Sequence, residues 1–141
     1  MKKCFAIVLT ILLLISSIGV TSADVTDTEE NIILDRYIGL FKAYTTLSIT
    51  NGTANCTGVV KAKSSNYSLS LTLSLQKKSG TSWNYVASWI GTGSGINGVV
   101  LNRTKSGLTS GTYRCVAYVQ VYDSNGAYVE STTVYSQTCT I

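Results

Sequence analysis

Histidine and proline are both missing from the 141 residues, and acidic side chains number only seven. Without histidine there is no Ser/His/Asp or Cys/His nucleophile arrangement, and the commonest metal ligand is gone. A glycosidase can manage with two carboxylates, but from residue 37 onward the chain offers only Asp123, in a turn signal, and Glu130, seven residues later. A lysine base or a lone thiolate finds no supporting partner in the sequence. No zinc ligand set is present. Asp24, Asp27, Glu29 and Glu30 are the one acidic cluster, but they lack the glycine turn of a defined calcium loop and read as a solvated leader. The expectation is therefore no enzyme, no catalytic residue, no metal and no cofactor.

Long apolar runs are scarce too. One lies at the start, where Lys2 and Lys3 precede an apolar stretch from Phe5 to Ile18, closed by Thr21-Ser22-Ala23 before Asp24. This pattern predicts a signal peptide cleaved after Ala23. The run falls short of the roughly 20 apolar residues that a membrane-spanning helix requires, and acid rather than basic stop-transfer residues follows it. Cys4 lies within the removed segment, and no cysteine follows closely enough for lipoprotein-type acylation. The expected mature chain, residues 24–141, is secreted and has no transmembrane anchor.

Charge is sparse and unevenly placed. Asp24, Asp27, Glu29, Glu30 and Asp35 crowd the first dozen mature residues, leaving Asp123 and Glu130 against nine Lys and Arg in the remainder. Such a surface favours anionic partners such as acidic glycans, cell-wall polymers or headgroups. Lysines also solvate strand faces and edges, and no basic run exceeds two residues. Nucleic acid is not an expected partner of a secreted chain. The organisation predicted is a signal peptide over 1–23, an acidic flexible arm over 24–36 with room for a short helix at Ile32-Ile33-Leu34, and one domain over 37–141.

From Tyr37 onward Ser, Thr, Val, Leu and Tyr dominate and glycine punctuates, which reads as strands. Leu69, Leu71, Leu73 and Leu75 alternate with Ser68, Ser70, Thr72 and Ser74, the period of a strand with one buried face. Ala54, Cys56, Gly58, Val60 and Ala62 share one phase of a second strand, and Tyr113, Cys115, Ala117, Val119 and Val121 one phase of another. Seven strands are predicted near 42–49, 54–63, 67–77, 82–90, 97–104, 112–122 and 127–140. With no helical stretches to carry parallel crossovers, they imply an all-β sandwich of two antiparallel sheets. Asp123-Ser124-Asn125-Gly126 predicts a type I turn with a glycine bulge. That turn pairs Asp123 with Ala127, Tyr122 with Tyr128 and Val121 with Val129. Continued, the register sets Glu130 opposite Gln120, pointing outward, and Tyr135 opposite Cys115, facing inward. Trp83, Tyr85, Ala87 and Trp89 share one phase, which suits core packing.

Cys56, Cys115 and Cys139 survive processing, and an oxidising compartment predicts that two of them bridge. Cys56 and Cys115 occupy the inward phase of the second and sixth strands, expected in opposite sheets. Together with Ser110-Gly111-Thr112-Tyr113-Arg114-Cys115, where a tyrosine precedes the cysteine by two residues, this pattern resembles immunoglobulin-like domains. The resemblance implies a cross-core Cys56–Cys115 disulfide. It departs from antibody domains in that leucines fill 67–77, where those domains place a core tryptophan, and Trp83 and Trp89 come a strand later. Cys56–Cys139 is the alternative pairing; Cys115–Cys139 falls beyond disulfide reach in the register above.

Residues 37–141 also resemble a family of small secreted proteins of unknown function from Gram-positive bacteria. The matching stretches are Leu47-Ser48-Ile49, Thr53-Ala54-Asn55-Cys56-Thr57-Gly58, Leu75-Gln76-Lys77-Lys78-Ser79-Gly80-Thr81-Ser82-Trp83 and Ser110-Gly111-Thr112-Tyr113-Arg114. These are turns and core positions, so the resemblance implies fold and export and brings no activity.

All nine tyrosines fall in the mature body, and Tyr118, Tyr122 and Tyr128 share the outward phase of the last hairpin. Exposed aromatic platforms stack on sugar rings and anchor protein interfaces. Tyrosine is equally a good strand former, and cross-strand aromatic pairs add roughly 0.2 to 1 kcal/mol to a sheet. The expected function is a secreted, non-enzymatic binding module whose partner is an anionic glycan, a cell-wall polymer or a protein, with Tyr118, Tyr122 and Tyr128 as its binding residues. The other reading is a structural or assembly subunit that associates through sheet edges or an intermolecular Cys139 bridge.

Overall fold

The structure, a computed structural model, describes residues 36–141. The expected signal peptide, and the expected acidic arm up to Asp35, lie outside the described residues. The rest forms eight strands: β1 Leu40–Thr50, β2 Thr53–Ala62, β3 Ser68–Ser79, β4 Ser82–Ser94, β5 Val99–Lys105, β6 Thr112–Tyr122, β7 Tyr128–Tyr135 and β8 Cys139–Thr140. A 3-10 turn, Gly95–Asn97, separates β4 from β5. The strands make two antiparallel sheets, one of three in the order β1-β2-β5 and one of five in the order β4-β3-β6-β7, with β8 also on β6.

Alternation decides which side of each strand is buried. Leu69, Leu71, Leu73 and Leu75 on β3 are fully enclosed, as are Cys56 and Val60 on β2 and Tyr113, Cys115, Val119 and Val121 on β6. These residues from both sheets form one apolar cluster. Gly58 of β2 lies so close to β3 that a methyl group there would stand 3.2 Å from the Leu71 and Leu73 side chains. Each enclosed leucine contributes about 1.5–3 kcal/mol relative to exposure. Four of them along one strand therefore hold the two sheets face to face.

The final hairpin forms as its turn chemistry predicts. Asp123 N–H donates to the Ala127 carbonyl at 2.9 Å and Gly126 N–H to the Asp123 carbonyl at 3.0 Å. The Asp123 carboxylate accepts from the N–H groups of Asn125 and Ala127 at 2.8 and 2.9 Å. Gly126 adopts the positive φ of 79° that the turn requires.

Three departures from strict alternation correct the expected register. In the β6–β7 pair Tyr122 faces Tyr128 as expected, but Val121 faces Glu130 rather than Val129. Val129 is the extra residue of a bulge, and each residue beyond it exchanges faces. Val134 is buried, and Tyr135, expected inside opposite Cys115, is 56% exposed opposite Val116. The bulge brings Glu130 to the start of β1, where its carboxylate accepts from the N–H groups of Ile38, Gly39 and Leu40 at 2.8, 2.7 and 2.9 Å. Charge-assisted bonds of this kind are about twice as strong as neutral ones, and three of them outweigh one lost ladder position.

In the β3–β4 pair Leu75 faces Ala87 while Gln76 faces Tyr85, so Val86 is extra. Trp89 and Ala87 pack against the core as expected, joined by Val86. Trp83 and Tyr85 take the outer face instead of the core. The third departure splits the expected last strand. Ser136 leaves the ladder, its N–H donating to the Cys115 carbonyl at 3.0 Å and its hydroxyl accepting from Cys115 N–H at 2.8 Å. The chain rejoins β6 at Cys139, opposite Tyr113.

Candidate functional site

The outer face of the five-stranded sheet gathers the aromatic residues. Tyr118, Tyr122 and Tyr128 do share it. Tyr122 and Tyr128 meet edge to face, their ring centres 6.2 Å apart at 78°, and the Tyr128 hydroxyl donates to the Ser131 hydroxyl at 3.0 Å. Tyr118 sits midway along the sheet between Thr72 and Thr133, partly exposed.

A second grouping, outside the expected tyrosine trio, lies at the opposite end of the same face. Arg114 projects from β6 and its guanidinium carbon stands 4.1 Å from the Trp83 ring centre and 4.6 Å from that of Tyr135. Its Nε donates to the Gln76 side-chain oxygen at 2.9 Å. Gln76 is thereby buried and satisfied on the outer face of the sheet. Tyr85, 75% exposed, is the cross-strand neighbour of Gln76 on β4. A cation stacked on aromatic faces is stabilised by about 0.5 to 2 kcal/mol, more as it is desolvated. Ser70, Thr72 and Gln120 lie among the tyrosines on this face, and between the two groupings the Ser74 and Ser88 hydroxyls are hydrogen bonded at 3.0 Å.

Alternation alone places Arg114 outward. It cannot place Trp83 and Tyr135 beside it, because each reaches this face only through a bulge.

Both carboxylates among the described residues are engaged with backbone amides, Asp123 in its turn and Glu130 at the start of β1. Among these residues no group of His, Cys, Asp or Glu side chains could hold a metal ion, and no helix is long and apolar enough to cross a membrane.

The three cysteines cluster at one end of the core. Cys56 and Cys115 are enclosed and free, their thiols in hydrogen-bond contact rather than bridged. That hydrogen bond from Cys115 holds Cys56 below the ordinary thiol value, whereas Cys115 is pushed well above it, first by the same bond and then by burial. Cys139 is half-buried, its Sγ 3.4 Å from the Leu47 carbonyl oxygen, and burial raises its thiol as well. Cys139 pairs with Tyr113, two residues from Cys115 along β6, nearer than the uninterrupted register implied. Compared with known protein families, curated proteins and solved structures, the chain finds no match.

Proposed function

We propose that this chain is a secreted, non-enzymatic binding module that takes an anionic sugar polymer, such as an acidic cell-envelope glycan, on the outer face of its five-stranded sheet. The observation that carries the reading is Arg114, clamped between Trp83 and Tyr135 with Tyr85 beside them. Aromatic faces stack on sugar rings, and a guanidinium pairs with a carboxylate, sulfate or phosphate. Charge supports the same partner: residues 36–141 carry nine Lys and Arg against two acids, both acids bonded to backbone amides. Engagement of both carboxylates also supports a non-enzymatic role, and the Lys2-Lys3 leader with its apolar run supports export.

An immunoglobulin-like identity for the sandwich is part of this reading. It is supported by the sheet orders β1-β2-β5 and β4-β3-β6-β7 and by the Tyr113 hydroxyl, which donates to the Thr109 carbonyl at 2.6 Å as a tyrosine corner does. It is further supported by the contact between Cys56 and Cys115 across the core, which we take as the pair that bridges once the protein is oxidised. Kinship with small secreted Gram-positive proteins remains part of the proposal on the sequence resemblance alone.

Co-sedimentation of the mature protein with insoluble cell-wall fractions, alongside soluble acidic and neutral polysaccharides, tests the function. Retention on acidic polymers is expected, weakened about tenfold or more by Trp83→Ala and by Arg114→Ala, since each such anchor is worth over 1 kcal/mol. Arg114→Lys, which keeps the charge but loses the flat stack, should fall between them and wild type. Absence of retention on every anionic polymer, or retention indifferent to both substitutions, would sink the proposal.

A further inference from the structure

Sugar binding leaves the three thiols unused. Cys56 and Cys115 are sealed in the core, one from each sheet. A dissolved oxidant cannot reach an enclosed thiol unless the fold opens around it. Cys139 is the third member and the only one of the described cysteines with part of its surface in solvent. It faces inward opposite Tyr113, two residues from Cys115 on the same strand. Its Sγ rests 3.4 Å from the carbonyl oxygen of Leu47, and Leu47 is the cross-strand partner of Cys56. The Cys139 thiol thus lies near both members of the sealed pair, diagonal to Cys115 across the β6–β8 pair and one strand from Cys56 through Leu47.

We propose that Cys139 is the receiving thiol through which an external disulfide oxidises the Cys56–Cys115 pair while the domain stays folded. The inference rests on the preceding reading that this pair bridges. In the first step the Cys139 thiolate attacks one sulfur of an external disulfide RSSR. The S–S bond breaks, RS⁻ leaves and takes up a proton, and Cys139 carries the mixed disulfide. In the second step the Cys56 thiolate attacks the Cys139 sulfur and expels the remaining RS⁻, forming Cys56–Cys139. In the third, the Cys115 thiolate attacks the Cys56 sulfur; Cys139 departs as thiolate and regains a proton. The sum is RSSR plus two protein thiols giving one protein disulfide and two RSH.

Each role follows from position. Cys139 alone among the three has partial access to solvent. Cys56 neighbours both others, and the Cys115 hydrogen bond favours its thiolate, the attacking form. Cys115, enclosed and in hydrogen-bond contact with Cys56, is the terminal partner.

The test starts from reduced, folded protein mixed with oxidised glutathione, quenched by alkylation at timed intervals and mapped by peptide mass spectrometry. A glutathione adduct on Cys139 is expected first, followed by Cys56–Cys115 with Cys139 again free. Cys139→Ser and Cys139→Ala, each checked for fold by circular dichroism, should form the bridge about tenfold or more slowly, because the sealed pair must then wait for the fold to open. In unfolding urea the difference should vanish. Equal rates for wild type and both variants in the folded state would overturn the relay and leave the bridge standing, and a stable Cys56–Cys139 product would overturn the last transfer. Failure to form Cys56–Cys115 even on refolding with oxidant would overturn both the bridge and the relay.

Discussion

At Glu130 a single carboxylate gathers three consecutive amides at the head of β1 and ties them to β7 in the other sheet. The amides of Gly39 and Leu40 are withdrawn from water, so removing the acceptor leaves donors with no replacement. Glu130→Ala is expected to lower unfolding stability by about 2 kcal/mol, read as a shift in urea midpoint at constant slope, with Glu130→Gln recovering part of the loss. Loss below about 0.5 kcal/mol, the range of an ordinary surface change, would contradict this account. The sequence marks Glu130 only as one of two acids in the body. Its role depends on Val129 standing out of the ladder, which no residue near it announces.

Among elements, the strands were legible where burial is one-sided and unbroken. The β3 leucines and the inward phases of β2 and β6 lie where alternation puts them, as does the Asp123–Gly126 turn. The phases of β4 and β7 are not legible because period-two alternation carries a phase forward until something signals a change, and neither Val86 nor Val129 is a glycine or another residue that marks a bulge. Both bulges lie on strands at the sheet margin, where such irregularities gather. The Arg114 cluster was illegible for the same reason, whereas Tyr118, Tyr122 and Tyr128 were placed correctly on the outer face. Deleting Val86 would restore regular pairing with Leu75 still opposite Ala87 and Gln76 still opposite Tyr85, so Trp83 and Tyr85 would keep the outer face and the turn at Ser79–Ser82 its register. The deletion is expected to destabilise the domain by about 1 kcal/mol, through the lost core contact of Val86, and to keep retention on acidic polymers. A deletion variant that folds but loses retention would refute the assignment of these faces.

For the whole molecule, charge is the property that no single strand reveals. Nine cations over residues 36–141 against two acids give the sandwich a net positive charge. Association with an anionic polymer should therefore weaken steeply between about 0.05 and 0.5 M salt as screening lengths contract below 10 Å. The stacking contribution of Trp83 should persist, so the ratio of wild-type to Trp83→Ala affinity is expected to hold across that range. Binding that ignores salt, measured by the same sedimentation assay, would argue for an uncharged partner.

Order of assembly follows from the short rung beside Tyr113. Ile141 and Gly111 exchange backbone hydrogen bonds at 3.0 and 2.8 Å, and Cys139 closes over the end of β6. Because ribosomes deliver a chain from its amino end, residues 139–141 emerge after every other part of the sandwich. Until they arrive, the nascent protein leaves its sulfur chemistry uncapped, and the capping piece brings the third thiol with it.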